Sequence, residues 1–407
     1  MSTLFRDVRV FDGAEILDAA SVLVENGRIA LVAPPGADVL APSDAVVVEE
    51  PDATLLPGLI DCHVHAEPGA LREAITFGVT TVLDMMCPPE LHREQRATAR
   101  RDLGMADVLS AGIGATAPGG HPSQLVESVD WLDEFPTLST PGEAADFVAR
   151  RMAEGSQYLK IFAGRLTPGD GRPCLDTDTV AALVEAARTN GVLSIAHAVD
   201  QAAARAAVAA GVDGLAHLFV DEKPEPPFID EIVSAGVFVV PTLTMLESLC
   251  GRPSGAELAR DPRITPFLSA SAKARLESVL GENPELDLSH AREAVAMLAA
   301  AGGTLLAGTD AIAHGTAHGA SLHRELELLV ECGMSPRQAL AAATSAPAGR
   351  FGLSDRGHVR GGLQADLVLV RGNPAEDITR TRDLIGVWRR GQRVERRRQP
   401  AIVDREG

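Results

Sequence analysis

From residue 57 onward the sequence alternates between short apolar runs and longer stretches with helical periodicity. The longer stretches carry helix signals, such as the acidic start and the closing Gly191 of a helix predicted at residues 176–190. Eight strands alternating with helices over about 300 residues predict a parallel (β/α)8 barrel of the TIM type. The apolar runs predict the strands at residues 59–65, 80–85, 107–111, 157–162, 192–197, 214–217, 236–241 and 304–309.

Both ends of the chain have β character instead. Residues 4–56 contain short apolar runs separated by turns, and Asn26-Gly27 is a strong hairpin signal. Apolar runs return after Phe351. We therefore predict an α/β protein in which the (β/α)8 barrel, residues 57–353, is inserted into a small β-sandwich domain formed by residues 1–56 and 354–407.

The composition and charge of the chain limit the kinds of molecule that it can bind. The formal net charge of −19 argues against a nucleic acid or an anionic membrane surface, because both require a basic patch. The five cysteines are scattered without a CxxC pair, which is typical of a reducing compartment. The sequence shows neither a signal-peptide core nor an apolar run of about 18 residues. We expect a cytoplasmic protein that acts on a small molecule. The sequence leaves open whether the chain forms a homo-oligomer.

Polar side chains gather at the predicted strand ends. His63 and His65 are two residues apart, so on a strand their imidazoles project from the same face. Imidazole is a common zinc ligand, and barrel enzymes carry their catalytic groups at the carboxyl ends of the strands. A structural histidine is the alternative at any one position, but the group together predicts a metal site. Its members are His63, His65, Lys160, His197, His217 and Asp310.

The order of these residues and their local motifs resemble the amidohydrolase superfamily, over nearly the whole chain. Residues 57–65 are similar to its strand-one signature, residues 308–310 to its strand-eight signature, and residues 357–366 to its return into the β-sandwich. Within that superfamily, the chain most specifically resembles the imidazolonepropionase-related branch, which includes Xaa-Pro dipeptidases (prolidases) and ochratoxinase. The residues that carry this second resemblance are Gly119-Gly120-His121, Lys160 and Pro241-Thr242-Leu243.

The resemblance implies a binuclear centre of two divalent metal ions, with Zn²⁺ preferred over Mn²⁺ or Fe²⁺. His63, His65 and Asp310 would hold one ion, and His197 and His217 the other. A hydroxide and a CO2-derived carbamate on Lys160 would bridge them, and the carbamate would reduce the positive charge gathered there. Asp310 would move a proton from the attacking water to the leaving group. The alternative is an unmodified Lys160 that pairs with Asp310 in a one-metal site.

The implied activity is hydrolysis of an amide or related C–N bond, in an N-acyl amino acid, a dipeptide or a similar small molecule. One alternative is mononuclear, imidazolonepropionase-like opening of a cyclic amide, and a remote one is a non-catalytic binding protein. His121 is a candidate catalytic donor to the substrate carbonyl and a substrate contact. Arg165 is a candidate carboxylate clamp. Phe219 is a candidate substrate contact, near where relatives often have a tyrosine.

Four further polar residues lie close to the predicted site along the chain. Asp61 and Asp84 occupy strand positions from which they can hydrogen-bond to metal ligands. His314 and His318 follow the last predicted strand, and we expect them to cap the next helix, with contact to the substrate as the alternative. The long segment at residues 244–301 is a candidate lid or part of the substrate pocket.

Overall fold

The computed structural model describes residues 2–124, 135–167, 170–253, 255–281, 283 and 285–399. Within these residues the strands are β1 (Thr3–Phe11), β2 (Ile16–Glu25), β3 (Arg28–Ala33), β4 (Val46–Glu49), β5 (Ala53–Pro57), β6 (Leu59–Val64), β7 (Val79–Asp84), β8 (Asp107–Ser110), β9 (Leu159–Phe162), β10 (Ser194–His197), β11 (Gly214–Ala216), β12 (Phe238–Val240), β13 (Leu367–Arg371), β14 (Leu384–Arg389) and β15 (Gln392–Arg393).

The α-helices lie between and after the central strands. They are α1 (Ala70–Thr76), α2 (Pro89–Arg101), α3 (Ala144–Glu154), α4 (Thr177–Thr189), α5 (Gln201–Ala209), α6 (Pro226–Ser234), α7 (Leu243–Leu249), α8 (Gly255–Arg260), α9 (Ala270–Leu276), α10 (Leu288–Ala300), α11 (Ala320–Glu331), α12 (Pro336–Ala342) and α13 (Ser345–Arg350). In the described part of the chain, no helix has both the length and the apolar character needed to cross a membrane.

The central strands form two parallel sheets, β6-β7-β8 and β12-β11-β10-β9. Their side chains are almost entirely buried, as expected for parallel strands with helices against them. Backbone hydrogen bonds join the two sheets where β8 meets β9: Gln157 N donates to the Ser110 carbonyl (2.9 Å) and Phe162 N to the Ala115 carbonyl (2.8 Å). The architecture is therefore TIM-barrel-like.

The segment predicted as strand eight, residues 304–309, joins the sheets on the other side. Leu306 N donates to the Val239 carbonyl and Cys62 N to the Ala307 carbonyl, both at 2.9 Å, so the segment lies between β12 and β6. It is not a regular strand, since its pairing with β12 is limited to an isolated bridge at Leu305. The predicted location of this segment in the sheet is correct, but the prediction of a regular strand is wrong.

Strands from both chain ends share one sheet, with the order β15-β14-β13-β5-β1-β2-β3 and with β4 paired to β1. β5 and β13 pair antiparallel, with Leu55 opposite Leu369. The Phe5 ring packs edge-on against Trp388, with centroids 4.8 Å apart. The sheet thus unites the two ends, whereas the second layer of a β-sandwich stays a prediction. Residues 400–407 of the predicted domain lie outside the described residues.

Candidate metal centre

A cavity of about 240 Å³ opens where the central strands end at their carboxyl side. All six side chains of the predicted metal site line it, together with His121. The segment predicted as a lid also contributes, through Met245 and Leu280. The remaining lining residues are Met86, Pro122, Phe162, Leu166, Ile312 and Ala313.

His63, His65 and Asp310 form the first group of this site. The Nε2 atoms of His63 and His65 lie 3.1 and 3.0 Å from the same atom, Asp310 Oδ1. Among the described residues neither His63 Nε2 nor Asp310 Oδ1 makes an aligned hydrogen bond, although both are buried. Ligand atoms of His63, His217 and Asp310 all lie within 4.8 Å of one another. Three ligand groups that crowd together without bonding to each other fit a bound cation.

Asp61 holds the chain segment that carries Asp310. Thr309 donates to this carboxylate twice, from its N–H to Oδ1 (3.1 Å) and from its hydroxyl to Oδ2 (2.7 Å). His63 N also lies 3.2 Å from Asp61 Oδ1. Burial raises the pKa of Asp61 to about 7, against the opposing effect of these donors. Asp61 therefore ties β6 to the segment that ends at Asp310, directly behind the predicted ligands.

His197 and His217 form the second group, with ring centroids 4.7 Å apart. His197 Nε2 lies 3.0 Å from the Arg165 carbonyl, and His217 Nδ1 lies 2.7 Å from Thr242 Oγ1. The Arg165 carbonyl can only accept, so His197 carries its proton on Nε2 and leaves Nδ1 available; the Thr242 hydroxyl contacts Nδ1 of His217, which leaves Nε2 of that ring available. Burial lowers the pKa of both imidazoles well below its usual range, which favours the neutral form that metals require.

Thr242 and Glu325 support His217, and the sequence analysis missed both roles. Thr242 adopts a left-handed conformation (φ 49°) between β12 and α7. The two oxygens of the Glu325 carboxyl group accept hydrogen bonds from the next two backbone N–H groups, Leu243 (3.0 Å) and Thr244 (2.9 Å). This clamp fixes the turn that aims the Thr242 hydroxyl at His217. A sequence signal exists only for the turn, in the motif Pro241-Thr242-Leu243.

Lys160 projects from β9 into the cavity and is 1% exposed. Its Nζ has no hydrogen-bond partner among the described residues and lies 5.6 Å from the centroid of the Phe162 ring. Burial lowers the pKa of this amine to about 7, although the Asp310 carboxylate acts in the opposite direction. A buried, unpartnered amine is costly unless it is neutral, modified or bound.

His121 faces the same cavity from the loop after β8. Its ring centroid lies 4.9 Å from that of His197, and its Nδ1 lies 2.7 Å from Gln124 Nε2. If the Gln124 amide donates to Nδ1, the neutral ring carries its proton on Nε2 and can donate it. Asp84 is the buried last residue of β7, and it accepts hydrogen bonds from Ala66 N (2.8 Å) and from Ser110 Oγ (2.5 Å).

Two predicted substrate contacts do not line the cavity. Arg165 directs its Nε to the Arg172 carbonyl (2.8 Å) and lies 3.4 Å from Asp170 Oδ1. Phe219 is fully buried and packs near Phe228 in the hydrophobic core.

The histidines after the last predicted strand have other surroundings. His314 Nδ1 lies 2.8 Å from Ser278 Oγ. His318 is buried, and neither of its ring nitrogens has a partner among the described residues. The expected helix-capping role is wrong, because α11 begins after Gly319 without a side-chain cap.

Family models, curated sequences and solved structures all include proteins that are similar to this chain. The model of the Amidohydrolase family matches residues 54–394. Adenine deaminase 2 of Rhizobium etli is 28% identical over 91% of this chain and 54% of that protein. The chain spans about half the length of the curated relatives it matches. Two solved structures share the fold: a Xaa-Pro dipeptidase with bound methionine (TM-score 0.77, 21% identity, 97% of this chain and 100% of that one) and A. niger ochratoxinase (0.73, 21%, 96% and 95%).

Proposed function

The chain belongs to the Amidohydrolase family, and from this premise we propose that it is a metal-dependent hydrolase that cleaves an amide or related C–N bond of a small molecule. The observation that carries the proposal is the convergence of His63, His217 and Asp310 ligand atoms within 4.8 Å, in the cavity at the strand ends. We also propose that residues 57–353 carry this site and that residues 1–56 and 354–407 form the separate β-domain.

The donor set suits two divalent ions. Neutral imidazole nitrogens and a carboxylate are the ligands that Zn²⁺ prefers, with Mn²⁺ and Fe²⁺ as alternatives. We assign His63, His65 and Asp310 to one ion and His197 and His217 to the other. Ions bound there would lower the pKa of a water molecule and polarise the substrate carbonyl.

Lys160 completes the set as a carbamate. Its neutral amine would add to CO2, forming an N–C bond and releasing one proton, and the product is an anion with two oxygens. The buried amine, which has no partner among the described residues, supports this, since an ammonium group among the ligands of two divalent ions would add to their positive charge. A one-metal site with unmodified Lys160 is the competing proposal.

Two side chains of the protein then handle protons during hydrolysis, and each has a separate role. Asp310 is placed beside both His63 and His65, so its carboxylate can take a proton from the attacking water and pass it to the leaving nitrogen. His121 can donate from Nε2 to the substrate carbonyl oxygen while Gln124 holds the other ring nitrogen. The Thr242 and Asp61 contacts keep the ligands oriented.

Metal counting tests this proposal. The protein is stripped with a chelator, reloaded with Zn²⁺ in bicarbonate buffer, and assayed for bound metal and for hydrolysis of a panel of amides and ureas. We expect two equivalents per chain, activity only in the loaded form, and a bicarbonate-derived ¹³C carbamate signal that disappears in Lys160→Met. One equivalent without the carbamate signal would favour the mononuclear site, and activity after complete metal removal would refute the metal-dependent mechanism.

A further inference from the structure

Beyond the predicted metal ligands and His121, the cavity wall is apolar. The apolar side chains come from four different parts of the barrel, so the wall is apolar on several sides of the cavity and not at one patch. The main contributors are Met86, Phe162, Leu166, Met245, Leu280 and Ile312.

The described wall contains no cation apart from Lys160. Arg165, the residue expected to bind a substrate carboxylate, instead contacts the Arg172 carbonyl and Asp170. The internal segments outside the description add neither lysine nor arginine. Residues 125–134 include four carboxylates and neither lysine nor arginine, and residues 168–169, 254, 282 and 284 also include neither.

Away from the predicted metal ligands and His121, a substrate carboxylate would therefore meet only apolar side chains and find no partner in the described wall. Burial of an ionised group without a counter-charge is strongly unfavourable. The formal net charge of −19 adds long-range repulsion for anions. Neutral apolar groups meet neither obstacle, and they bury area against the same side chains.

We propose that the substrate is a neutral secondary amide or urea with apolar groups on both sides of the scissile C–N bond, rather than the dipeptide or N-acyl amino acid that the sequence suggested. This inference rests on the proposed hydrolysis. In that step a water oxygen bonds to the carbonyl carbon, the C–N bond breaks, and the water proton passes through Asp310 to the leaving nitrogen. For an amide the products are a carboxylic acid and an amine, which at neutral pH exchange a proton to give a carboxylate and an ammonium ion.

A matched substrate pair tests the charge preference. N-isopentylbenzamide and N-benzoylleucine share the same scissile bond and differ by one carboxylate. We expect kcat/KM of the metal-loaded enzyme to be at least about a hundredfold higher for the neutral amide, since a buried unpaired charge costs several kcal/mol and each 1.4 kcal/mol is tenfold. Equal or faster hydrolysis of N-benzoylleucine would overturn the inference and leave the proposed function intact.

Binding separates the two proposals if neither compound is hydrolysed. Calorimetry with the metal-loaded Asp310→Asn variant measures affinity without turnover. Preferential binding of N-isopentylbenzamide, with no hydrolysis by the wild type, would support the charge preference and contradict the proposed reaction. Absence of binding by the neutral amide would overturn the inference.

A substitution in the wall provides the converse test. Leu166→Arg places a cation in the half-buried part of the wall, with Leu166→Met as the matched control. The arginine variant should shift the ratio of the two kcat/KM values toward N-benzoylleucine by at least about tenfold, as expected for a newly paired charge. Arg165→Met should leave the ratio unchanged. If Arg165→Met strongly lowers kcat/KM for N-benzoylleucine but not for N-isopentylbenzamide, Arg165 binds the carboxylate and the inference is refuted.

Discussion

The Thr242 hydroxyl offers a direct measure of how much the surroundings of a predicted ligand contribute to metal affinity. Thr242→Val replaces the hydroxyl by a methyl group of similar shape and keeps the β-branch at φ 49°. Thr242 and His217 are 0% and 3% exposed, so water cannot replace the 2.7 Å contact between them. In the metal-bound form His217 would keep a proton on Nδ1 without an acceptor.

The magnitude follows from that lost partner. Leaving one buried polar group unsatisfied costs about 1–3 kcal/mol, which corresponds to a factor of about 5–150 in an equilibrium constant. Loss of a group that orients a metal ligand typically costs about 10–100-fold in metal affinity. The two ranges overlap, so we expect Thr242→Val to weaken metal binding by about 10–100-fold. The metal-free protein should be affected less, because its imidazole can carry the proton on Nε2 instead.

Chelator competition measures the affinity, and Co²⁺ absorption spectra report the ligand geometry. Thr242→Ser is the control, since it retains the hydroxyl and should bind metal much as the wild type does. Urea unfolding of the metal-free proteins separates metal affinity from stability. Wild-type affinity in Thr242→Val would refute the reasoning, and equal losses in the serine and valine variants would assign the effect to the backbone turn rather than to the hydroxyl.

Three other perturbations probe the same region. Asp310→Asn should lower kcat by at least about a hundredfold while substrate still binds, and near wild-type turnover would remove Asp310 as the base. Lys160→Ala should lose at least one metal equivalent, and a short carboxylic acid should restore part of the activity; full metal content would contradict the proposed role of Lys160 as a metal ligand. Burial raises the pKa of Glu325 to about 8, so the native state holds a proton that the unfolded chain releases. The contribution of Glu325 to the free energy of unfolding should therefore fall as pH rises from about 4.5 to 8, by at most about 1.4 kcal/mol per pH unit, and urea titrations of the metal-free proteins should show it as a difference between wild type and Glu325→Gln that decreases over this range.

The sequence predicted those features that depend on local spacing. His63 and His65 converge because residues two apart on a strand share a face, and His197 and His217 because parallel strands end at one edge. The structure brings all four to the same cavity. Their roles as ligands stay predictions until metal is counted.

Features that depend on contacts between segments distant in sequence could not be predicted in the same way. Residues 304–309 read as a strand, but a Cβ at Gly308 would lie 2.5 Å from a Val240 methyl and 2.9 Å from His63 N. The backbone there runs closer to its neighbours than a side chain allows, and the regular pairing is lost. The contact of Glu325 with Leu243 N joins residues 82 apart in the chain, and no local pattern indicates it. The direction of the Arg165 side chain could not be predicted, because the direction of a loop side chain depends on partners such as Asp170.

The sheet shared by both chain ends has a consequence for synthesis. Thr54 donates its hydroxyl to the Gly372 carbonyl, and these residues are 318 apart in sequence. At about 5–20 residues per second, translation of the intervening chain takes about 15–60 s. During that interval β5 has no β13 to pair with, and an unpaired strand edge invites association between nascent chains. Completion of this sheet is therefore post-translational or nearly so, and the ribosome-bound chain is a natural client for chaperones that cover exposed strand edges.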